Sequence, residues 1–451
     1  MKGKTTTRDM TSGSIIRQVI LFSLPLMLGN IFQMLYNTVD TLVVGNYVGK
    51  EALAAVGSTS IIVNMAVFFF NGFSVGAGVV ISRYFGERNM EGLHAAVETT
   101  MLATFLFSAV MTGVGVLAVD PMLRFMATPE DVFQDAHTYL TIYFAGISGL
   151  LIYNMGSGIL RAVGDSTRPL YFLIITSLLN IVLDLLFVLA FRMGIAGVAV
   201  ATILSQFVSA AMVLILLSRS RDIYRMTWKD LRIDGPILKR ILTVGLPAGI
   251  QSVITAFSNI FVQSYINYFG SSCMAGWSCY NKLDTFIMLP MQSMAMAATT
   301  FVSQNLGAGK RERANHGAFV TIALSVGVTA VIATALYVFA EKSVGLFSSD
   351  REVISFGAMF LRTNVFFLLF NCVNHVTASA LRGEGDSRGP MVIMLLSFVG
   401  IRQVYLFILT RYITNTAKWV GFGYPVGWMC CFVLIIAYWL RKHGKGKERS
   451  A

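Results

Sequence analysis

Residues 160–169 read LRAVGDSTRP, and residues 381–390 read LRGEGDSRGP. Six residue types recur between these stretches at an offset of 221 positions, and the same offset aligns residues 82–89, SRYFGERN, with residues 303–310, SQNLGAGK. One position more places Leu24-Pro25 on Leu246-Pro247. Two separate motifs at one offset indicate that the chain contains two copies of one structural unit.

The repeated LRxxGDSxxP loops have a structural interpretation and a functional one. A left-handed Gly can end one helix, Asp or Ser can cap the next, and Pro fits the first turn of that helix. The alternative is that these loops gate the inner face of a membrane protein. The sequence leaves both interpretations open.

Each copy contains six long apolar segments, which charged or Gly/Pro-rich gaps separate. Runs of this length without period-2 alternation predict membrane-spanning helices, because open sheet edges stay unsatisfied in lipid. We therefore predict an all-α polytopic membrane protein with 12 transmembrane helices in two parallel six-helix repeats. The predicted domains are an N-terminal lobe, a cytoplasmic linker, a C-terminal lobe and a basic cytoplasmic tail, over residues 1–218, 219–235, 236–440 and 441–451.

The composition agrees with a membrane protein and excludes an ordinary soluble enzyme. Of 451 residues, 55% are hydrophobic and only 13% are charged, whereas about a quarter of a soluble domain is charged. The net charge of +12 is scattered between apolar runs, so it does not predict a nucleic-acid interface. Five cysteines form no CxxC pair, which favours packing residues over disulfides or metal ligands.

The basic residues predict the orientation. With the N-terminus in the cytoplasm, the inner segments carry 25 Lys or Arg and the outer loops carry 7. This asymmetry predicts that both termini of a multi-pass protein of the cell membrane are cytoplasmic. The charged stretch 218–240 between the copies is interpreted as an amphipathic connector at the lipid surface.

Polar residues inside the spans are the candidate functional residues, because burying them in lipid is costly. On the first span, Gln33, Tyr36, Asn37 and Asp40 follow helical spacing and share one face. Similar stripes occur on the fourth, fifth and sixth spans, at Tyr139, Tyr143 and Asn154, at Asn180 and Asp184, and at Thr202 and Gln206.

Two chemistries fit carboxylates and neutral oxygens that converge from several helices. Asp40, Asn180, Asp184 and Thr202 could ligate Na⁺, which prefers hard oxygen ligands. Alternatively, burial and mutual repulsion could turn Asp40 or Asp184 into a proton carrier. The structural alternative for each aspartate is an acceptor of an interhelical hydrogen bond.

The second copy differs in its polar content. Phe261 or Val262 stands where the first copy has Asp40, and Tyr405 matches Asp184. Asp284 is the strong ionisable candidate of this lobe, and Lys282, two residues away, does not share its helix face. His375 is expected to be a packing residue. The other polar candidates in these spans are Gln251, Thr255, Asn259, Asn371 and Asn374.

Pro25 lies within the first span, and Pro247 repeats it. Proline removes one backbone hydrogen bond of a helix and permits a kink. Pro25 is therefore either a static bend or a hinge that moves the face carrying Asp40.

Residues 24–45, LPLMLGNIFQMLYNTVDTLVVG, and residues 49–57, GKEALAAVG, resemble the multidrug and toxic compound extrusion (MATE) family, as do the two repeated loops. The resemblance covers roughly residues 14–440, and the prokaryotic DinF-like branch is the most similar. It implies a V-shaped pair of lobes and the exchange of organic cations or other amphiphilic compounds for Na⁺ or H⁺. The implied coupling residues are Asp40, Tyr139, Asn180, Asp184 and Thr202, and the implied substrate-cavity residues are Gln33, Tyr36, Asn37 and Asn154.

The second lobe departs from the NorM branch of that family, which carries acids where this chain has Thr255 and Asn371. The departure favours coupling in the first lobe. No cofactor is expected besides the coupling ion, and the protein is expected to act as a monomer on small amphiphilic or cationic substrates.

Three other functional classes fit the sequence less well. A flippase for a lipid-linked oligosaccharide or cell-wall precursor is the main alternative, although such proteins often have fourteen spans and a basic central cavity. An enzyme is not expected, because no nucleophile elbow, Walker motif or metal-spaced cluster is present. A passive channel would show no steep dependence on imposed ion gradients.

Overall fold

The computed structural model describes residues 7–220 and 222–448. Arg221 and the last three residues of the predicted tail lie outside the described residues. Within the described part, eleven helices are long and apolar enough to cross a membrane, and one bent helix pair supplies a twelfth span. The predicted fold class, an all-helical polytopic membrane protein, is confirmed.

Seven helices come from the first copy of the repeat. They are α1 Ile15–Val43, α2 Lys50–Glu87, α3 Met90–Phe125, α4 Glu130–Ala145, α5 Ile147–Ala162, α6 Thr167–Leu185 and α7 Gly194–Arg219. Short π-helical turns, Val44–Val48 and Leu186–Ala190, extend α1 and α6.

Ten helices come from the second copy, where several spans are interrupted. They are α8 Gly235–Asn267, α9 Ser271–Gly307, α10 Arg311–Val338, α11 Ala340–Gly345, α12 Arg351–Asn364, α13 Leu368–Gly383, α14 Arg388–Leu395, α15 Arg402–Ile408, α16 Ala417–Gly421 and α17 Gly423–Glu448. A 3₁₀ turn at Val365–Phe367 joins α12 to α13, and π-helical turns at Leu396–Ile401 and Leu409–Ile413 flank α15.

The chain forms two compact units. Among the described residues, the first unit contains 7–9, 24–220 and 222–245, and the second contains 10–23 and 246–448. Helices α1 and α8 therefore pass from one unit to the other beside Pro25 and Pro247. Both helices continue through their prolines.

The fourth span is bent. Helices α4 and α5 meet at Gly146 with an angle of 48°. A side chain at Gly146 would lie 2.2 Å from Cγ2 of Ile203 on α7, so glycine at this position allows the bent span to pack closely on α7. Small residues allow close helix approach in membranes, where packing replaces the hydrophobic driving force.

The repeated LRxxGDSxxP loops carry out the predicted capping. Gly164 and Gly385 have φ of +85° and +93°, which is the left-handed region that glycine favours. Asp165 accepts hydrogen bonds from the backbone N–H groups of Thr167 and Arg168 at 3.1 Å. Asp386 accepts one from Gly389 at 3.1 Å. The structural interpretation of these loops is confirmed.

The second copy of this loop also holds helix α17. The Lys442 ammonium lies 2.9 Å from Glu384 and 3.0 Å from Asp386, and the Tyr438 hydroxyl donates to Asp386 at 2.6 Å. Burial opposes ionisation of Glu384, but hydrogen bonds with His443 and Lys442 lower its pKa below the usual value. Burial likewise opposes ionisation of Asp386, and bonds from Tyr438 and Lys442 lower its pKa.

The second repeated motif holds part of the N-terminal segment within the second unit. The Gln304 side chain accepts a hydrogen bond from the backbone N–H of Met10 at 3.1 Å, and Asn305 donates to the Met10 carbonyl at 3.2 Å. Arg313 donates to the carbonyls of Ser12 and Gly13 at 3.0 and 2.8 Å. Met10 is fully buried, so this contact is part of the packing of the unit.

The described residues of the linker between α7 and α8, 220 and 222–234, form no helix. Tyr224 and Met226 are buried in the core of the first unit, and the Tyr224 hydroxyl donates to Asp222 at 2.8 Å. Thr99 on α3 accepts a hydrogen bond from the backbone N–H of Asp234 at 2.9 Å. Tyr224 and Met226 therefore pack on protein, whereas Trp228 and Ile233 of the linker are exposed.

A glycine contact between α2 and α8 provides a test of this packing. A Cβ at Gly76 would lie 2.2 Å from the Ile241 carbonyl oxygen, whereas one at Gly78 would meet no atom within 4 Å. We expect Gly76→Ala to lower the free energy of unfolding by about 1–3 kcal/mol, because backbone atoms cannot move aside. Gly78→Ala, the matched control, should be neutral or stabilising. Thermal unfolding in detergent measures both, and equal behaviour would contradict the packing.

The ion pairs of Lys442 predict a pH dependence. The folded state holds the pKa of Glu384 and Asp386 below their ordinary values of 4.5 and 3.8. Their stabilisation is therefore complete above the unfolded pKa and is lost as pH falls through the folded one. Lys442→Met should cost about 1–2 kcal/mol at pH 7.

The cost of Lys442→Met should shrink progressively below about pH 4, where the carboxyls become protonated. Melting temperatures measured across this pH range give the difference. Arg441→Met is the control, because Arg441 is exposed and belongs to no ion pair in the described part of the chain. A cost that does not change with pH would show that the pairing is not electrostatic.

Candidate functional site

Asp40 and Asp184 approach each other from α1 and α6 of the first unit. Their carboxyl groups are close enough to interact electrostatically. Each aspartate precedes a π-helical turn, and the two turns, Val44–Val48 and Leu186–Ala190, pack together. Such turns are frequent at functional sites, because they redirect side chains within a helix.

Two ionised carboxylates at this separation repel each other in a low-dielectric interior. Asp184 is completely buried, and Asp40 is partly buried. Coulomb repulsion between them is relieved when they share a proton or when a cation lies between them. The geometry can therefore hold one positive charge.

Several polar atoms around this pair have no hydrogen-bond partner. They include Oδ1 of Asp40, both carboxyl oxygens of Asp184, and both amide atoms of Asn180, which is 2% exposed. With both carboxyls ionised, no donor from the described part of the chain reaches these oxygens. Buried polar groups are nearly always satisfied in proteins, so this cluster indicates a site for an exchangeable ion or water.

Tyr139 completes the cluster from α4. It is 7% exposed, stacks on Tyr143 with ring centroids 6.1 Å apart, and lies within electrostatic range of Asp40 and Asp184. Tyr36 on α1 has the same two carboxyls as neighbours. The predicted convergence of Asp40, Tyr139, Asn180 and Asp184 is present in the structure.

Thr202 lies on α7 beside Asn180. Its hydroxyl donates to the Val198 carbonyl at 3.0 Å, which leaves the oxygen available as an acceptor. Thr202 and Asn180 line a cavity of about 20 Å³ in which roughly one water molecule fits.

Three of the predicted substrate residues line the same small cavity, and one does not. Gln33, Tyr36 and Asn154 contribute to its wall. Asn37 is exposed and is absent from the cavity wall. Ser177 and Ser205 also line the cavity. Prediction from sequence missed both serines, although each lies one helical turn from a predicted residue, Asn180 or Thr202.

The second unit contains a larger pocket of about 450 Å³. Asp284 on α9 lines it, whereas Lys282 is exposed and lies over the Phe347 ring, 5.4 Å from its centroid. The expected separation of Lys282 and Asp284 is confirmed. The pocket also contains His375 and Arg402. Prediction from sequence did not select Arg402, although a buried arginine within an apolar span was a signal for it.

Comparisons with known proteins match both units to the same family model. The MatE family model matches residues 25–186 and 247–408, which are the two copies of the repeat. The probable multidrug resistance protein YpnP of Bacillus subtilis is 30% identical over 97% of each chain. The probable multidrug resistance protein NorM of Thermotoga maritima is 26% identical and covers 90% of this chain and 89% of its own.

A solved structure described as an outward-facing conformation of a multidrug resistance MATE family transporter of the MOP superfamily is similar to the fold. Its TM-score is 0.90, with 25% sequence identity, over 96% of this chain and 98% of that chain.

The unpartnered amide of Asn180 generates a prediction about stability. Asn180→Leu removes buried polar atoms that make no hydrogen bond, so we expect an unchanged or higher melting temperature. Asn374→Leu is the matched control, because Nδ2 of the buried Asn374 donates to the Trp428 carbonyl at 2.9 Å, although its Oδ1 has no partner in the described part of the chain. That variant should lose about 1 kcal/mol. Thermal unfolding in detergent compares them, and an equal loss would mean that Asn180 is a structural residue.

Proposed function

The chain belongs to the MATE family of multidrug efflux transporters, and from this premise we propose that it is a secondary antiporter with its coupling site at Asp40 and Asp184. It exports organic cations or other amphiphilic compounds in exchange for Na⁺ or H⁺. Members of this family are multi-span membrane transporters and not enzymes. We further propose that it lies in the cell membrane with both termini in the cytoplasm, as the distribution of basic residues favours.

The observation that carries this proposal is the pair of neighbouring carboxyls with unpartnered oxygens. An antiporter needs a group that gains and loses a positive charge in each cycle. Asp40 and Asp184 are close enough to share that charge, and Asn180 adds an amide oxygen without a partner. A purely structural pair would be satisfied by donors from the protein.

The proposed coupling acts through helices α1 and α6. Entry of one H⁺ or Na⁺ removes the repulsion between Asp40 and Asp184 and so favours arrangements in which α1 and α6 are close. Loss of the ion favours their separation. An ion can shift such an equilibrium only by its difference in affinity for the two arrangements. Pro25 on α1 is the proposed hinge, because proline weakens the helix at that point.

The proposed substrate contacts are polar groups on the same helices. Gln33, Tyr36 and Asn154 line the small cavity beside Asn180, and Asn37 lies exposed on α1. A substrate that contacts α1 would bind with different affinity in the two arrangements, which gives reciprocal coupling between ion and substrate. Either ion would use the oxygens of Asp40, Asn180, Asp184 and Thr202, with Tyr139 beside them. No other cofactor is proposed, and the functional unit is a monomer.

Dye efflux from proteoliposomes under separately imposed Na⁺ and pH gradients tests the coupling. Asp184→Asn and Asp40→Asn should each abolish gradient-driven efflux, because an amide cannot take up a proton and binds a cation weakly. Asp131→Asn, at an exposed aspartate of α4 outside the carboxyl pair, is the control and should retain coupled efflux. The gradient that drives the wild type identifies the ion.

Two outcomes would overturn the proposal. Undiminished coupled efflux by both first-unit variants would move the coupling site elsewhere. Movement of a lipid-linked oligosaccharide across the vesicle membrane without movement of the dye would favour the flippase instead.

A further inference from the structure

The pocket of the second unit has the size and chemistry of a ligand site. Its volume of about 450 Å³ lies within the range of small-molecule pockets, which is about 300–1,000 Å³. Such pockets combine aromatic walls with a few polar groups that converge on the ligand. The residues that matter here are Thr255, Trp277, Asp284, Asn371, Arg402 and Tyr424.

Arg402 brings a buried positive charge to this pocket. It begins α15 directly after the π-helical turn Leu396–Ile401 and is 3% exposed. One Nη donates to the Ser258 hydroxyl at 2.8 Å, and the guanidinium lies 4.8 Å from the Tyr424 ring centroid. Its Nε is buried without a partner, and no carboxylate pairs with it in the described residues.

Asp284 brings the opposite charge from α9. Its Oδ1 is buried without a hydrogen-bond partner, and it too forms no ion pair among the residues that the structure describes. Asp284 and Arg402 both lie within electrostatic range of Tyr424. They form no ion pair with each other. A buried charge without a partner is costly. Arg402 carries such a charge, and the partly buried Asp284 adds an unpartnered carboxyl oxygen.

Neutral polar groups and rings fill the remaining wall. The Asn371 amide is 1% exposed, and neither of its polar atoms has a partner. The Thr255 hydroxyl is also unpartnered. Trp277 and Tyr424 are neighbours, with ring centroids 5.5 Å apart. A flat ring can pack against such side chains, while the unpartnered groups fix its orientation.

We propose that this pocket binds a zwitterionic aromatic amphiphile. Arg402 binds the ligand's carboxylate or similar anionic group, Asp284 binds its cationic group, and the ring packs on Trp277 and Tyr424. The site is separate from Asp40 and Asp184. This proposal goes beyond the proposed antiport, because ligand binding in the second unit does not depend on which unit couples the ion.

Two dyes that differ in one charge test the proposal on the purified full chain. Rhodamine 110 carries a carboxylate and a cationic ring system, and rhodamine 123 is its methyl ester. We expect fluorescence anisotropy to show about tenfold tighter binding of rhodamine 110, the factor that one charge-assisted hydrogen bond supplies. Equal affinities, or tighter binding of the ester, would overturn the proposal on the wild type alone.

Substitutions identify the residues that distinguish the two dyes. Arg402→Gln should bring the affinity ratio of the two dyes close to one, and Arg402→Lys should retain part of it. Asp284→Asn should weaken both dyes by a similar factor, because both carry the cationic ring. Arg411→Gln, at an exposed arginine near the end of the same span, is the matched control and should keep the wild-type ratio.

Further outcomes distinguish this pocket from the carboxyl pair of the first unit and from a lipid site. A wild-type ratio in Arg402→Gln would overturn the assignment, as would loss of the ratio in Asp40→Asn. If Arg402→Gln fails to fold, the proposal is still tested by the affinities of the two dyes for the wild type. The same affinities are then measured for Arg402→Lys and Asp284→Asn. Dihexanoyl phosphatidylcholine, a zwitterionic lipid without a ring, should not displace rhodamine 110. Displacement at equal concentration would assign the pocket to a lipid headgroup and overturn the aromatic class.

Discussion

The hydrocarbon interior of a membrane offers no hydrogen bonds, and this constraint explains both the fold and the sites of this protein. Backbone groups must be satisfied within each span, so the spans are helical. Polar side chains in the spans must find partners inside the protein or serve a ligand. The Asn374 amide nitrogen meets the first condition, because it donates to the Trp428 carbonyl. Asp184 and Asn180 do not, and so they define the candidate site.

The two copies of the repeat share a scaffold but differ in charge. Gly164 and Gly385 make the same left-handed turn, and Asp165 and Asp386 cap the following helices. At the position of Asp184 the second copy has Tyr405, whose hydroxyl donates to the Trp419 carbonyl at 3.0 Å. Loop geometry is therefore common to both units, whereas the unpartnered carboxyl pair belongs to the first. The second unit instead has separate charges at its pocket.

Spacing predicted much of the candidate site. Asn180 and Asp184 are four residues apart on one helix, so they had to share a face. Their convergence with Asp40 and Tyr139 agrees with the family resemblance, which supplied contacts between helices that spacing cannot supply. Spacing did not decide which residues of the stripe line the small cavity, since Gln33 and Tyr36 line it and Asn37 does not. A stripe identifies a helix face, and only packing decides which part of that face a neighbour covers.

By itself, the sequence determined the helical membrane fold, the two copies, the capped loops and the candidate aspartates, because these depend on local spacing, turn chemistry and the cost of charge in lipid. Tertiary structure alone decided the bend at Gly146, where Ile203 occupies the space of a side chain. It also decided the burial of Tyr224 and Met226 from the linker. Only the packing of α9 against the helices around it could place Arg402 and Asp284 at one pocket, since no helical period relates residues so distant in sequence.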